Sequence, residues 1–415
     1  MSDLARARVD GGRLWGALME MGEIGGTPKG GCTRLTLTDV DKRGRELFRA
    51  WSEQAGLTVK VDAMGNMFAR RRGVEDGLAP VLIGSHLDTQ PAGGKFDGVL
   101  GVLGALEVIR ALNDLNLKTR RPIEVVSWTN EEGSRYAPAM IGSGVFAGVY
   151  AQEYAYSLID GDGKKFGDEL ARIGFKGPEP VGGRPIHALF ELHIEQGPAL
   201  EAEGYDIGVV THAQGQSWFD VRLSGFASHA GSTPLPQRRD ALLGAARVVE
   251  LVRAIGLSKP PLGVATCGMI RVAPNSRNII PGEALVTCDL RHPDGAALSE
   301  MDAALREGVK AIAEKSGLAY ALEPVFYYAP VAFDPTNVAA ARRAAERLGY
   351  KHRDIVSGAG HDSCHIAQIA PTSMIFVPCV GGVSHNESDA ITPEWAAAGA
   401  NVLLHAALEK AEAVA

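Results

Sequence analysis

Four polar clusters along the chain carry side chains able to hold a metal or move a proton. The first is Gly84-Ser85-His86-Leu87-Asp88, with Asp97 nine residues beyond it. His86 and Asp88 are two apart, so on an extended backbone they share a face. That suits a metal-binding imidazole whose other nitrogen is held by a carboxylate. The bland alternative is that Asp97 only caps a helix and His86 is a satisfied core histidine, and a lone His-x-Asp does not decide between them. The second cluster is Asn130-Glu131-Glu132-Gly133. Adjacent side chains leave the backbone in different directions, so one Glu can take a metal while the other stays free as a general base. Alone, the pair reads rather as an exposed acidic loop, since Glu is usually solvated. His193 in ELHIEQGP and His385 in GGVSHNE complete the set. Imidazoles and carboxylates together suit Zn, Mn or Co better than Ca or Mg. Three histidines and two carboxylates exceed the needs of one catalytic ion. They suit two ions about 3.5–4 Å apart with Asp97 between them.

Each cluster follows a stretch that reads as a strand. Residues 79–84 form a short buried strand and residues 98–112 a helix with apolar side chains at helical spacing. Residues 122–129 form the next strand, so the order implies a parallel β-α-β unit with a right-handed crossover. Residues 186–194 and 372–378 read as further strands, and ligands bind beyond the carboxyl ends of such strands. Ahead of these, 11–22 and 39–55 read as helices, the second with Leu47, Phe48, Trp51 and Ala55 on one stripe. The Gly/Thr-rich segment between them is expected to be an exposed loop, either a lid or a surface bridge. Residues 57–70 read as a strand pair turning at Gly65-Asn66, and 134–184 as short helices and loops. From about 213 the pattern becomes β-α-β-β-α-β, with strands over 217–226, 263–272, 284–292 and 320–328 and helices over 238–255 and 298–316. That is a ferredoxin-like order. Helices over 335–348 and 393–412 return to the first pattern. The division expected is 1–212 with 329–415, and 213–328 inserted between them.

A chain of 415 residues has room for two or three domains at about 150 residues each. Its 46% hydrophobic and 22% charged residues are those of a protein with ample core. The formal net charge is -7 and no Lys/Arg block stands out, which argues against a nucleic-acid partner. No apolar run is long enough for a membrane span. The opening MSDLARARVD lacks the apolar core of a secretion signal, so a cytoplasmic location is expected. Five scattered cysteines make neither a disulfide framework nor a Cys-x-x-Cys zinc site. Any metal here is bound by nitrogen and oxygen.

The stretches GSHLDTQPAGGKFDGVLGV, WTNEEGSRY, ELHIEQGPALE and GGVSHNESD, with TRLTLTDVDKRGRELFRAW near the start, resemble one family over nearly the whole chain. It is the hydantoinase/carbamoylase amidase branch of the M20 dinuclear metallopeptidase-like amidohydrolases. That branch includes N-carbamoyl-L-amino acid hydrolases, β-ureidopropionases and allantoate amidohydrolases. The resemblance implies an α/β catalytic domain, zinc-exopeptidase-like, whose mixed sheet is flanked by helices. It implies an inserted ferredoxin-like α+β lid and dimerisation domain, and a homodimer. It also implies two divalent ions (Zn, Mn or Co), one held by His86 and His193 and the other by Glu132 and His385, with Asp97 shared. Asp88 would clamp His86, Glu131 would be the general base, and the Asp97-Gly98 peptide would be cis, at a cost of about 3 kcal/mol. His229 would polarise the scissile carbonyl. Gln196, Asn278 and Arg291 would bind substrate, a guanidinium being matched to a carboxylate. The activity implied is cleavage of a carbamoyl C–N bond, with allantoate hydrolysis as the alternative. His193, where peptidase relatives commonly carry an acid, disfavours an aminopeptidase or N-acyl amino acid deacylase. The other histidines are expected to be structural, with His361 in GAGHDS the foremost exception.

Overall fold

The structure is a computed structural model and describes residues 6–414. By its internal contacts the chain divides into two units, Met1–Thr211 with Phe333–Ala415, and His212–Ala332.

The first unit opens with α1 (Gly11–Glu23) and α2 (Asp39–Gln54), capped by the side chains of Asp10 and Thr38. A hairpin follows, β1 (Thr58–Val61) and β2 (Met67–Arg71). Then come β3 (Val81–His86), α3 (Val99–Asp114), the short β4 (Lys118–Thr119) and β5 (Ile123–Trp128). Every residue of β3 and β5 is buried, as parallel strands covered on both faces must be. Three short helices, α4 (Ile141–Phe146), α5 (Gln152–Ser157) and α6 (Phe166–Arg172), lead to β6 (Ala188–Ile194), α7 (Ala199–Glu203) and β7 (Ile207–Ala213).

The second unit runs β8 (Gly215–Ser224), β9 (Ser228–His229), α8 (Ala241–Leu257), β10 (Val264–Ala273), β11 (Ile279–Ile280), β12 (Glu283–His292), α9 (Gly295–Ser316), β13 (Ala319–Tyr328) and β14 (Val331–Ala332). Its four long strands form an antiparallel sheet in the order β10-β12-β8-β13. This matches the β-α-β-β-α-β reading. Inward residues such as Val221, Leu223, Val286 and Leu290 pack with Val248, Val252, Leu305 and Val309 of α8 and α9 to make a core of its own.

The chain then adds α10 (Pro335–Leu348), β15 (His352–Ser357), α11 (Asp362–Ile366), β16 (Thr372–Val377), α12 (Pro393–Lys410) and β17 (Ala413–Val414). The large sheet has nine strands in the order β1-β2-β5-β3-β6-β16-β7-β14, with β15 also on β7. Its centre, β5-β3-β6-β16, is parallel throughout, and the flanking pairs are antiparallel. Four carboxyl ends therefore open at one edge.

Two expectations need correction. The segment between α1 and α2 is exposed only at Gly26 and over 28–30, while Cys32, Arg34, Thr36 and Leu37 are buried. Cys32 exchanges backbone hydrogen bonds with Gly93, and Arg34 Nε donates to the Leu87 carbonyl at 2.7 Å. Gly31 lets the chain press close against the 87–93 turn, since a Cβ there would lie 2.5 Å from the Gly93 carbonyl oxygen. The Asp97-Gly98 peptide is not among the cis bonds, which all precede proline. Gly98 makes the reversal instead, with φ 66, a conformation glycine adopts without steric penalty. Among the described residues, no helix is long and apolar enough to cross a membrane.

Candidate metal centre

The carboxyl ends of the four central strands deliver the site. His86 is the last residue of β3, and Glu131 and Glu132 lie just beyond β5. His193 is next to last in β6, and His385 follows β16 after a tight turn. Asp97 comes from the turn between β3 and α3. The helix is capped by Gly98 and not by the Asp97 side chain, which leaves that carboxylate for the site. A Cβ on Gly98 would lie 2.3 Å from the His86 ring, so only glycine lets the turn approach the imidazole.

All five expected ligands converge. One oxygen of Asp97, Oδ1, is 3.7 Å from His86 Nε2 and 3.1 Å from His193 Nε2. The other, Oδ2, is 3.6 Å from His385 Nε2, which is 3.5 Å from Glu132 Oε2. Two groups result, His86–Asp97–His193 and Asp97–Glu132–His385, with donor atoms close enough to hold an ion each. The first is buried, while His385 is exposed.

The donor chemistry fits cations. His86 Nδ1 lies 2.9 Å from the Asp88 carbonyl and His193 Nδ1 lies 2.9 Å from the Ile194 carbonyl. Each Nδ1 must carry the proton to donate there, so each neutral ring presents a lone pair at Nε2. Those lone pairs face Asp97 Oδ1, and Glu131 Oε2 is 3.5 Å from His86 Nε2. His193 Nε2 has no hydrogen-bond partner among the described residues. Electron pairs facing one another in a dry pocket repel unless positive charge stands between them.

The same crowding shifts the acids and bases. Burial pushes the His86 imidazole down, but Glu131, Asp97, Asp88 and Glu132 around it outweigh this and hold it well above its ordinary value. Burial pushes Asp97 up, yet His193 and His86 win and hold it well below. Burial, opposed by His86, holds Glu131 well above the carboxylate range. Burial and then Asp97 push Glu132 up to about 8.

Asp88 differs from the expected clamp. Its backbone carbonyl holds His86, while its nearest carboxylate oxygen is 3.8 Å away. That carboxylate instead accepts from the backbone N–H of Glu131 and of Glu132, each at 3.3 Å. The turn after His86 aims it across to the neighbouring strand end.

Gln90, Ser384 and Glu191, which the sequence analysis does not single out, stand at the site beside Gln196 and His361, which it does. Gln90 donates to both Glu132 oxygens, at 3.0 Å and 2.8 Å. Ser384 Oγ donates to Asp97 Oδ2 at 3.0 Å. Gln196 Nε2 donates to the same Asp97 oxygen at 2.9 Å, while its buried Oε1 has no partner among the described residues. The buried His361 ring packs 4.5 Å from His193. With Glu191 these two form a third potential donor group, but Glu191 is already bonded to Ser85 Oγ and to Ser363 N and Oγ. Only the two-residue spacing of Glu191 and His193 on one strand face could have flagged it.

The remaining expected residues belong to the second unit. His229 is exposed in β9, and its Nδ1 accepts from Gly231 N and Ser232 N at 3.1 Å each. Its Nε2 therefore carries the proton and can donate. Asn278 is exposed, and its carbonyl accepts from Ala230 N beside His229. Arg291 in β12 donates to Asp289, with Nη2 at 2.8 Å from Oδ2.

A model of peptidase family M20/M25/M40 matches residues 82–409. Over 407 residues the chain is 54% identical to an N-carbamoyl-L-amino-acid amidohydrolase of Rhizobium meliloti, covering 98% of both chains. A crystal structure of an amidase of the hydantoinase/carbamoylase family from Burkholderia multivorans is 64% identical. It aligns at a TM-score of 0.96 over 98% of this chain and 99% of that one. A ureidoglycolate hydrolase of Oryza sativa subsp. japonica is 34% identical over 406 residues, covering 95% of this chain and 84% of that one.

Proposed function

Because the chain belongs to peptidase family M20/M25/M40, among its hydantoinase/carbamoylase amidases, we propose that it hydrolyses the C–N bond of an N-carbamoyl amino acid. The products are the amino acid, carbon dioxide and ammonia. The observation that carries this is the shared carboxylate of Asp97, with His86 and His193 at one oxygen and His385, beside Glu132, at the other. The unshared Glu131 stands beside it.

His86 and His193 would hold one divalent ion, and Glu132 and His385 the other, with Asp97 common to both. Zn, Mn and Co suit these donors. When bound, such ions supply Lewis acidity and make hydroxide available at neutral pH. Glu131 takes the proton of the attacking water and then delivers it to the departing nitrogen. A carboxyl held above its ordinary range by burial is suited to both halves of that transfer. Asp88 fixes the Glu131 backbone from below. Gln196, with Nε2 bound to Asp97 and Oε1 unpartnered, keeps an acceptor for a ureido N–H. His229 donates from Nε2 to the scissile carbonyl. Arg291 and Asn278 take the substrate's carboxylate end, with Arg291 exchanging Asp289 for the ligand. The protein works as a cytoplasmic homodimer, and exposed Leu242, Val249 and Leu257 on α8 offer a face for a second copy.

Hydrolysis of a ureide such as allantoate is the competing reading. The ureidoglycolate hydrolase likeness is 34% against 54% for the carbamoyl enzyme. The test is ammonia release from a panel of N-carbamoyl amino acids, allantoate and dipeptides, run on the protein and on Glu131→Gln. Carbamoyl amino acids are expected to be turned over fastest. Glu131→Gln is expected to keep its metal and lose a factor of about 10²–10⁴ in kcat. Near-normal turnover in that variant removes Glu131 from the mechanism, and preference for allantoate replaces the substrate.

A further inference from the structure

Arg45 is buried at 2% exposure in α2. Its Nε donates to Asp41 Oδ2 at 2.8 Å and its Nη1 to the Gly65 carbonyl at 2.8 Å. Both terminal nitrogens lie 3.3 Å from Thr129 Oγ1. Asp41, itself fully buried, also accepts from Leu37 N at 2.7 Å. Stripping water from a guanidinium and a carboxylate is costly, and a buried pair of this kind is weak evidence for stability. Its contacts point to a different use.

Thr129 follows the last residue of β5 and precedes Glu131 by two. Each of its polar groups is engaged. Its N–H donates to Asn66 Oδ1 at 3.0 Å, its carbonyl accepts from Gly142 N at 3.0 Å, and its hydroxyl meets Arg45. Beyond it, Asn130 sits at φ 59 and its amide donates to the Tyr136 carbonyl at 2.8 Å. Glu131 is then tied at both backbone groups, to Asp88 and to Met140. Arg45 reaches this turn by two routes. One is direct, through the Thr129 hydroxyl. The other runs through Gly65, next to the Asn66 that holds the Thr129 N–H.

We infer that Arg45, locked by Asp41, is a positioning residue for the general base, fixing the turn from Thr129 to Glu131 so that the Glu131 carboxylate meets the reacting water. This rests on the reading of Glu131 as the base. Among the described residues Arg45 makes no hydrogen bond to the side chains of His86, Asp97, His193, Glu132 or His385. Because Glu132 follows Glu131 on the same turn, metal content is read beside turnover to separate a misplaced base from a lost ligand.

The experiment measures kcat, KM, metal content and melting temperature for Thr129→Val, Thr129→Ser and the paired variant Arg45→Met with Asp41→Leu, beside Glu131→Gln. Misplacing a reacting group by about 1 Å can cost on the order of 10²-fold. Thr129→Val and the paired variant are expected to lose about 10- to 100-fold in kcat, with KM within about threefold and metal content unchanged. Thr129→Ser, which restores the hydroxyl, is expected to recover most of that loss. A folded Thr129→Val with kcat within about twofold of the parent overturns the inference, as does a loss that follows metal content or KM. If neither Thr129→Val nor the paired variant folds, the network belongs to stability and the inference is likewise overturned. Glu131→Gln separates the two ideas. If it loses turnover while Thr129→Val does not, only Arg45 drops out. If it keeps turnover, the reading of the base has failed.

Discussion

Asp97 is the side chain at which the two donor groups meet, and its two oxygens face opposite partners. Substituting Asp97→Asn leaves one oxygen and an amide that ligates weakly. Metal content by mass spectrometry is expected to fall toward one ion or none, with kcat lost by at least about 10²-fold. Chelation of the parent should abolish turnover and Mn, Co or Zn should restore it, and full activity in metal-free protein would refute the dinuclear assignment. At this scale the sequence was legible where residue type and strand-end position suffice: His86, Asp97, Glu132, His193 and His385 are all where their spacing put them. It was not legible where a side chain chooses among nearby partners. The Asp88 carboxylate binds backbone N–H groups beyond the neighbouring strand, and only its backbone carbonyl meets the imidazole two residues away, because the turn rotates its carboxylate off the strand face.

At the scale of elements, the strands that carry the expected ligands were readable because they are short, mostly apolar runs bounded by turn residues. β15, reading HRDIVS and only partly buried, offers no such run and was missed. The segment before α2 was misread because composition alone does not reveal that Arg34 is fully buried against backbone carbonyls. α6 supplies a test of how the short helices are held. Arg172 and Arg135 each lie 2.8 Å from Glu169 and draw its carboxyl down to about 2, below the ordinary value of 4.5. A depressed acid stabilises the fold above its unfolded pKa, and that contribution disappears as pH falls through the folded value. Glu169→Gln is therefore expected to lower the urea midpoint at neutral pH. The gap to the parent should narrow as pH drops from about 5 toward 2. A gap independent of pH would show that packing and not charge is at stake.

For the whole molecule, the ferredoxin-like unit has its own core and leaves Leu242, Val249 and Leu257 of α8 exposed. Leu242→Glu together with Val249→Glu is expected to convert a two-chain particle to a single chain in sedimentation, with the fold of each unit retained by circular dichroism. A parent that sediments as one chain removes the homodimer from the proposal. The sequence by itself determined the order of elements, the β-α-β-β-α-β insertion and which five side chains to seek at the strand ends, since periodicity and residue chemistry are local properties. Only the tertiary structure decided which oxygen of Asp97 faces which imidazole, that Gly98 turns the chain with φ 66 and no cis bond, and that Arg45 lies behind Thr129. Those facts depend on strands far apart in sequence being brought to one edge, where each hydrogen bond goes to the nearest group in space.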